Sequence, residues 1–217
     1  KKYLDLTAAF AVAATGHANP RVTKAAQTQL AKLPHAMGDV HPHPLKGQLA
    51  RELSHLTFER WKRGRGKTIF CNSGFEAVEA ALKTALLATG KKDIIAFESA
   101  YHGLGYGALV TTHRKHFRNP FKKQLSKFGH FAPFPETTTA LADTEKHLKA
   151  LFKKNPIGAV LVEPIQGRAG LRVPPAKFLR MLRSLCDQHD ALLIYDEIYT
   201  GFGRTGTMFA TENWNVQ

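Results

Sequence analysis

Cysteine is scarce in this sequence. Only Cys71 and Cys186 occur in 217 residues, far apart and at no metal-ligand spacing. A reduced, cytosolic protein is the simplest reading of that pair. Long apolar runs are missing too. None approaches the ~20 residues that a bilayer span requires, so no membrane segment is expected. The opening KKYLDLTAAF has no cleavable apolar segment of signal-peptide form. It also does not begin with Met, so the chain is expected to start inside a longer protein. There is no internal repeat and no low-complexity tract.

Acidic residues are few. Lys and Arg number 31 against 17 Asp and Glu, giving a net charge of +14. Such a surface can attract nucleic acid or anionic substrates. The basic residues are nevertheless spread along the chain, densest in RWKRGRGK (60–67) and HRKHFRNPFKK (113–123). Both clusters lie between expected regular elements. Each reads as a solvated basic loop, and nucleic acid is disfavoured as a partner. His35, His41 and His43 match no metal motif, and prolines interrupt their stretch. No metal site is expected.

What is present is an alternation of strand and helix signals. Tyr3 to Thr15 is strand-like at best. Asn19-Pro20 opens a helix, with Asn as N-cap and Pro in the first turn, and Pro34 ends it. Its face is marked by Val22, Ala25, Ala26, Gln29 and Leu30. A second helix is expected over 46–57. From Lys67 the rhythm sharpens. Thr68 to Cys71 reads as a strand, Asn72-Ser73-Gly74 as a turn, and Phe75 to Thr89 as a helix closed by Gly90. That helix is expected to turn Phe75, Val78, Leu82 and Leu86 inward. Asp93 to Phe97 and Gly107 to Thr112 read as strands, and His113 to Thr139 as loop. A helix over 143–153, a buried strand over 158–162, a helix over 175–189 and a buried strand over 191–195 complete the series. Such alternation favours an α/β domain with a largely parallel sheet.

Ligands of open α/β sheets bind outside the carboxyl ends of the strands. Four expected strands end in groups that could serve there. Asp196 follows ALLIY and either contacts a ligand or hydrogen-bonds its own turn. Glu163 follows the strand 158–162. Ser73-Gly74 sits at a helix start, where free N–H groups and the positive dipole end suit a phosphate. Equally, Ser73 with Glu76 makes a capping box. Tyr101-His102 lies just beyond Asp93–Phe97, and an aromatic there stacks on a planar ligand or packs its own loop. Gly201 to Gly206, GFGRTG, has the spacing G-x-G-x-x-G. It does not follow a strand directly and no helical period follows it, so a dinucleotide site is not expected.

Together, NSGFEAVEAALKTA, ESAYHG, VEPIQGRAG and DEIYTGFGRTG resemble the class III aminotransferases. These are pyridoxal-phosphate enzymes of the aspartate-aminotransferase fold. The likeness runs in order over nearly the whole chain, from YLDLTAAFAVAATGHANP onward, and includes GHANP and MGDVHPHP. It implies an α/β fold: an aspartate-aminotransferase-like large domain with a mostly parallel sheet between helices, over residues 46–217. Residues 1–45 would belong to a small N-terminal domain. It implies transamination between an amine or amino acid (ω-amino, acetylornithine or 4-aminobutyrate type) and a 2-oxo acid. An aminomutase or a decarboxylase on the same scaffold is the alternative, and a basic nucleic-acid-binding module the non-enzyme one. A cytoplasmic homodimer is implied for the parent.

The resemblance also implies roles. Gly74 and Phe75 would give backbone N–H groups to the cofactor phosphate, beside Ser73. Tyr101, with His102 next to it, would stack on the pyridine ring, and Ile198 would pack on the opposite face. Asp196 would pair with the ring nitrogen and favour its protonated form. Glu163 would lie on the substrate side, where in several relatives the matching Glu pairs with a C-terminal arginine. Tyr199 stands where the family usually has Gln near the cofactor's phenolic oxygen. A phenol there can still donate a hydrogen bond, with a different reach.

The family's Schiff-base lysine lies downstream of the GRTG turn, and no lysine of this chain sits in a matching motif. These 217 residues alone are therefore expected not to transaminate. Borohydride treatment of the isolated chain with pyridoxal phosphate should trap no adduct at one specific lysine, as read by peptide mass spectrometry. A single stoichiometric adduct would contradict this.

Overall fold

A computed structural model describes residues 1–10, 12–38 and 40–216. Ala11 in the first apolar stretch, Asp39 in MGDVHPHP and Gln217 lie outside the described residues. The chain divides into two compact units, Lys1–Thr68 and Ile69–Gln217.

In the first unit, α1 (Pro20–Lys32) begins as its sequence dictates. The Asn19 side chain accepts from the amides of Arg21 and Val22. None of its residues is buried. Helix α2 (Pro44–Ser54) starts earlier than expected, because His43 Nδ1 accepts the Leu45 amide at 3.1 Å. One histidine of the suspected cluster is thus a helix cap. A single π-turn, His55–Glu59, follows.

The second unit is built on a four-stranded parallel sheet in the order β2-β1-β3-β4. Its strands are β1 (Asp93–Phe97), β2 (Gly129–Ala132), β3 (Ile157–Val162) and β4 (Leu192–Tyr195). The helices are α3 (Gly74–Thr89), α4 (Tyr106–Thr111), α5 (Lys115–Arg118), α6 (Thr138–Lys154) and α7 (Phe178–Gln188). Strand side chains alternate between the two faces. Ile94, Ala159 and Leu161 pack with Val78, Leu82 and Ala85 of α3 and Ala108 of α4. Ile95, Phe97, Val160 and Val162 pack with Leu148 and Phe152 of α6 and Phe178, Leu179 and Leu182 of α7. Every residue of β1 and β3 is buried, as expected of parallel strands covered by helices on both sides.

Register aligns the carboxyl ends. Phe97 pairs with Ala132 and Val162 with Tyr195. The ladder carries one residue further, from the Asp196 amide to the Val162 carbonyl at 2.8 Å. The segments after β1, β3 and β4 therefore emerge at one edge.

Several expectations are corrected. Residues 68–71 form no strand, since no strand among the described residues pairs with them, and Ile69 is 67% exposed. Residues 3–15 likewise hold turns and no strand where they are described. The run 107–112 is helix α4 instead of a strand. Periodicity cannot separate the two in a short apolar run, and the cap that settles it is distant: Glu79 Oε1 accepts the Ala108 amide at 2.9 Å. Within the expected loop 113–139 lie α5 and the four-residue strand β2. Strand β4 is only partly buried, with Leu192 exposed, because it is the edge strand. On α3, Val78 and Leu82 point inward, while Phe75 and Leu86 remain exposed. No helix among the described residues is long and apolar enough to cross a membrane.

Position in the sheet sets the cost of truncation. Leu161→Ala, at the centre, is expected to lower unfolding free energy by about 2–5 kcal/mol. Leu192→Ala, on the edge strand, should cost clearly less. Urea denaturation of the two variants checks the order.

Candidate functional site

Helix α3 begins at Gly74, directly after the turn Asn72-Ser73. The first amides of a helix have no carbonyl partner within it, and the positive end of the dipole gathers there. Side-chain capping usually satisfies one of them. Here the capping box is only half made. Glu76 Oε2 accepts the Asn72 amide at 2.7 Å, but Ser73 makes no side-chain capping bond. Its Oγ is buried without a hydrogen-bond partner. The chemistry left at this end is a hydroxyl and a set of free N–H groups facing one way.

Gly74 is required by proximity. A Cβ there would meet Ile198 Cδ1 at 2.9 Å, which shows how closely the start of α3 approaches the segment after β4. Gly103 is required by both conformation and space. Its φ is +117°, and a Cβ would lie 2.5 Å from Phe75 Cβ.

The loop after β1 carries Tyr101 and His102 over this helix start. Glu163, which follows β3, ties the loop down. Its Oε1 accepts the Tyr101 amide at 2.8 Å and its Oε2 the Gly167 amide at 3.0 Å. Both oxygens of this buried carboxylate are thus committed to backbone. Burial pushes its pKa up, more than His102 and the two amides pull it down.

Asp196, at the end of β4, is buried. Its Oδ1 accepts the Ile198 amide at 3.2 Å, so it does hydrogen-bond its own turn. Its Oδ2 lies 2.7 Å from His102 Nδ1. His102 is held in turn by its amide, which donates to Thr112 Oγ1 at 2.9 Å. The other ring nitrogen, Nε2, is buried without a partner. Glu197 faces away. It accepts from Thr200 Oγ1 and from the amides of Ala210 and Thr211, closing the glycine-rich loop on itself. That loop, 201–206, opens no helix directly; the next helical turn is Ala210–Trp214.

All eight residues carried over toward a cofactor, Ser73, Gly74, Phe75, Tyr101, His102, Asp196, Ile198 and Tyr199, line one cavity of about 390 Å³. Glu163 does not line it and acts on its wall through Tyr101. A larger cavity of about 440 Å³ lies elsewhere, lined by Lys83, Lys92 and Phe128 among others, and contains none of these groups.

Sequence reasoning missed three supports. Thr112 was hidden inside an expected strand. Gln166 is buried, donates to the Glu98 carbonyl at 2.8 Å, and accepts from Arg172 Nη1 at 3.2 Å. Arg168 lies with its guanidinium 4.3 Å from the centre of the Tyr101 ring. Gln166 and Arg168 stand in VEPIQGRAG, so the motif was visible although their partners were not.

The family model described as Aminotransferase class-III matches residues 1–217. Among curated proteins, the acetylornithine aminotransferase of Methanosarcina acetivorans is 39% identical over 217 residues, all of this chain and 51% of the relative. That of Methanosarcina mazei is 40% identical over the same length, again 51% of the relative. The chain thus spans about half the length of the curated relatives it matches. Among solved structures, the taurine:2-oxoglutarate aminotransferase of Bifidobacterium kashiwanohense, in complex with PLP and glutamate, superposes with a TM-score of 0.93 at 26% identity, over 100% of this chain and 51% of that one. An amine transaminase from an uncultivated Pseudomonas species, in its PLP-bound form, gives 0.84 at 31% identity, over 93% and 49%.

The Glu163 carboxyl offers a direct check of the site's electrostatics. Its folded-state pKa lies above the ordinary 4.5. Its contribution to stability is therefore full below the unfolded-state pKa and is lost as pH rises through the folded value. A carboxyl-detected NMR titration should place its midpoint above 4.5. A midpoint at or below that value would show that the two amides outweigh burial.

Proposed function

This chain belongs to the class-III aminotransferases, and from that membership we propose that the protein exchanges an amine for a carbonyl between an amine or amino acid and a 2-oxo acid, with pyridoxal phosphate as cofactor. The substrate class is of the ω-amino, 4-aminobutyrate or acetylornithine type. The acetylornithine aminotransferase relatives support the last of these. The proposal includes a cytoplasmic homodimer and the division into 1–45, small domain, and 46–217, cofactor-binding domain. Two free cysteines fit a reducing compartment.

One observation carries the reading: an anion-suited helix start and a buried carboxylate face the same 390 Å³ cavity from opposite elements. The residues fit the cofactor. An unpartnered Ser73 Oγ and the first amides of α3 suit its phosphate, and a fixed carboxylate suits a protonated ring nitrogen. When bound, the cofactor supplies an electron sink for charge that develops at the substrate carbon.

The chain's own groups do the rest. Gly74 and Phe75 would give their amides to the phosphate, with the Ser73 hydroxyl beside them. Asp196 would favour the protonated form of the ring nitrogen by its negative charge. His102 Nδ1, at 2.7 Å, fixes the orientation of that carboxylate. Tyr101 and Ile198, which line the cavity, would flank the ring, and the Tyr199 hydroxyl would donate toward the phenolic oxygen. Glu163 keeps the Tyr101 loop seated on the segment after β3, so the stacking ring does not drift.

In the full-length protein, Asp196→Asn should slow amine–carbonyl exchange by about 100-fold or more, the order found when one fixed electrostatic partner of a transition state is removed. The measurement is glutamate formation from 2-oxoglutarate, with 4-aminobutyrate and with N-acetylornithine as donors. No exchange by the unsubstituted protein with any donor of these classes would overturn the proposal.

A further inference from the structure

Another cavity, of about 540 Å³, opens beside the N-terminal end of β2. It shares no lining residue with the 390 Å³ cavity around Asp196, while Ser126 and Lys127 also line the 440 Å³ one. Lys115, Arg118, Lys122 and Lys127 line it, with Asn119 and Ser126 as neutral donors. Three of the four cations, Lys115, Arg118 and Lys122, come from the segment 113–123 that the sequence reads as a solvated basic loop, and Lys127 follows it. The fold gives that segment a shape. Helix α5 and the turn Asn119–Phe121 fold the run back, so residues twelve positions apart face one space.

Arg118 departs from the solvated reading. It is only partly exposed, its guanidinium lies 4.9 Å from the centre of the Phe131 ring, and burial lowers its pKa. No carboxylate among the described residues pairs with Arg118 or with the three lysines. Taking a guanidinium partly out of water without a counter-charge is unfavourable. An aromatic face offsets only part of that. An anion from outside the chain would supply the missing counter-charge.

The donor set indicates which anion. Arginine presents a planar fork that matches two oxygens of a phosphate, while lysines act as mobile point charges that adapt to the remaining oxygens. Four cations without an acid leave a singly charged anion heavily overcompensated. We propose that this cavity is a binding site for a diphosphate group, with Arg118 as its anchor and Lys115, Lys122 and Lys127 around it. The proposal is independent of the cofactor site and of the transaminase reading.

Isothermal titration with inorganic pyrophosphate and with ADP tests it, at about 0.15 M ionic strength, where charges beyond ~8 Å are screened. Saturable 1:1 binding is expected, and Arg118→Gln should weaken it by about ten-fold or more, the loss of one charge-assisted pair. Lys122→Gln is a second variant, on an exposed residue that should not disturb folding, and should weaken binding in the same direction. Lys177→Gln removes the same charge from the N-cap of α7, outside the cavity, and should change affinity less than about two-fold. Equal affinity for the two ligands would mark free diphosphate as the source, and tighter ADP binding a nucleotide. Non-saturable binding, or an equal loss in Lys177→Gln, would show bulk charge attraction and overturn the proposal. So would affinity for an oligonucleotide that rises with its length, which marks a charged strip instead of a closed site.

Discussion

The parallel pairing of β3 with β1 on one side and β4 on the other is the constraint on which the site depends. β3 is buried along its whole length, so its backbone groups have no water to turn to and must be met by neighbouring strands. Parallel ladders then bring the carboxyl ends of three strands to one edge. Glu163 and Asp196 leave that edge on adjacent strands, and the Tyr101-His102 loop leaves it from β1. A one-residue slip in β3 would exchange its two apolar faces, Ala159 and Leu161 against Val160 and Val162, and would present neither set to its own helices. The site geometry is thus held by core packing.

Two buried carboxylates at that edge are handled differently. Glu163 spends both oxygens on amides of neighbouring loops and serves as a staple. Asp196 divides its oxygens between a local amide and an imidazole ring. A buried carboxylate must be fully hydrogen-bonded to be tolerated, and a fully bonded one is also fixed in orientation. That fixation is what a carboxylate facing a ligand requires. The incomplete capping of α3 is the complementary case: a hydroxyl and amides left available where a helix could have satisfied them.

Much of the fold could be read in advance. β1, β3, α1, α3, α6 and α7 each carry their own signals: an apolar run of strand length, a cap, or a closing glycine. The site residues were legible for a related reason, because ligand groups cluster at strand ends and those ends are marked by a change from apolar to polar. The failures share one cause, that a partner far away in sequence decided the outcome. Residues 106–111 are helical with Glu79 as a remote cap. β2 is a strand because β1 offers it an edge, though its four residues give little period. Residues 68–71 have strand composition and no pairing strand among the described residues. β4 reads as a two-faced buried strand, yet its place at the sheet edge leaves Leu192 exposed.

By itself, then, the sequence determined the alternation of elements, the identity of Asp196 and Glu163 as strand-end carboxylates, and the glycine-marked start of α3, because these rest on local patterning and local turn chemistry. Tertiary structure alone decided which oxygens face what. It set His102 against Asp196 across 94 positions and Glu163 against Tyr101 across 62. It also left Ser73 Oγ uncapped, and it turned a run of basic residues into the wall of a cavity around Arg118. Hydrogen-bond partners and burial depend on which segments the sheet brings together, and strand order is a property of the whole core.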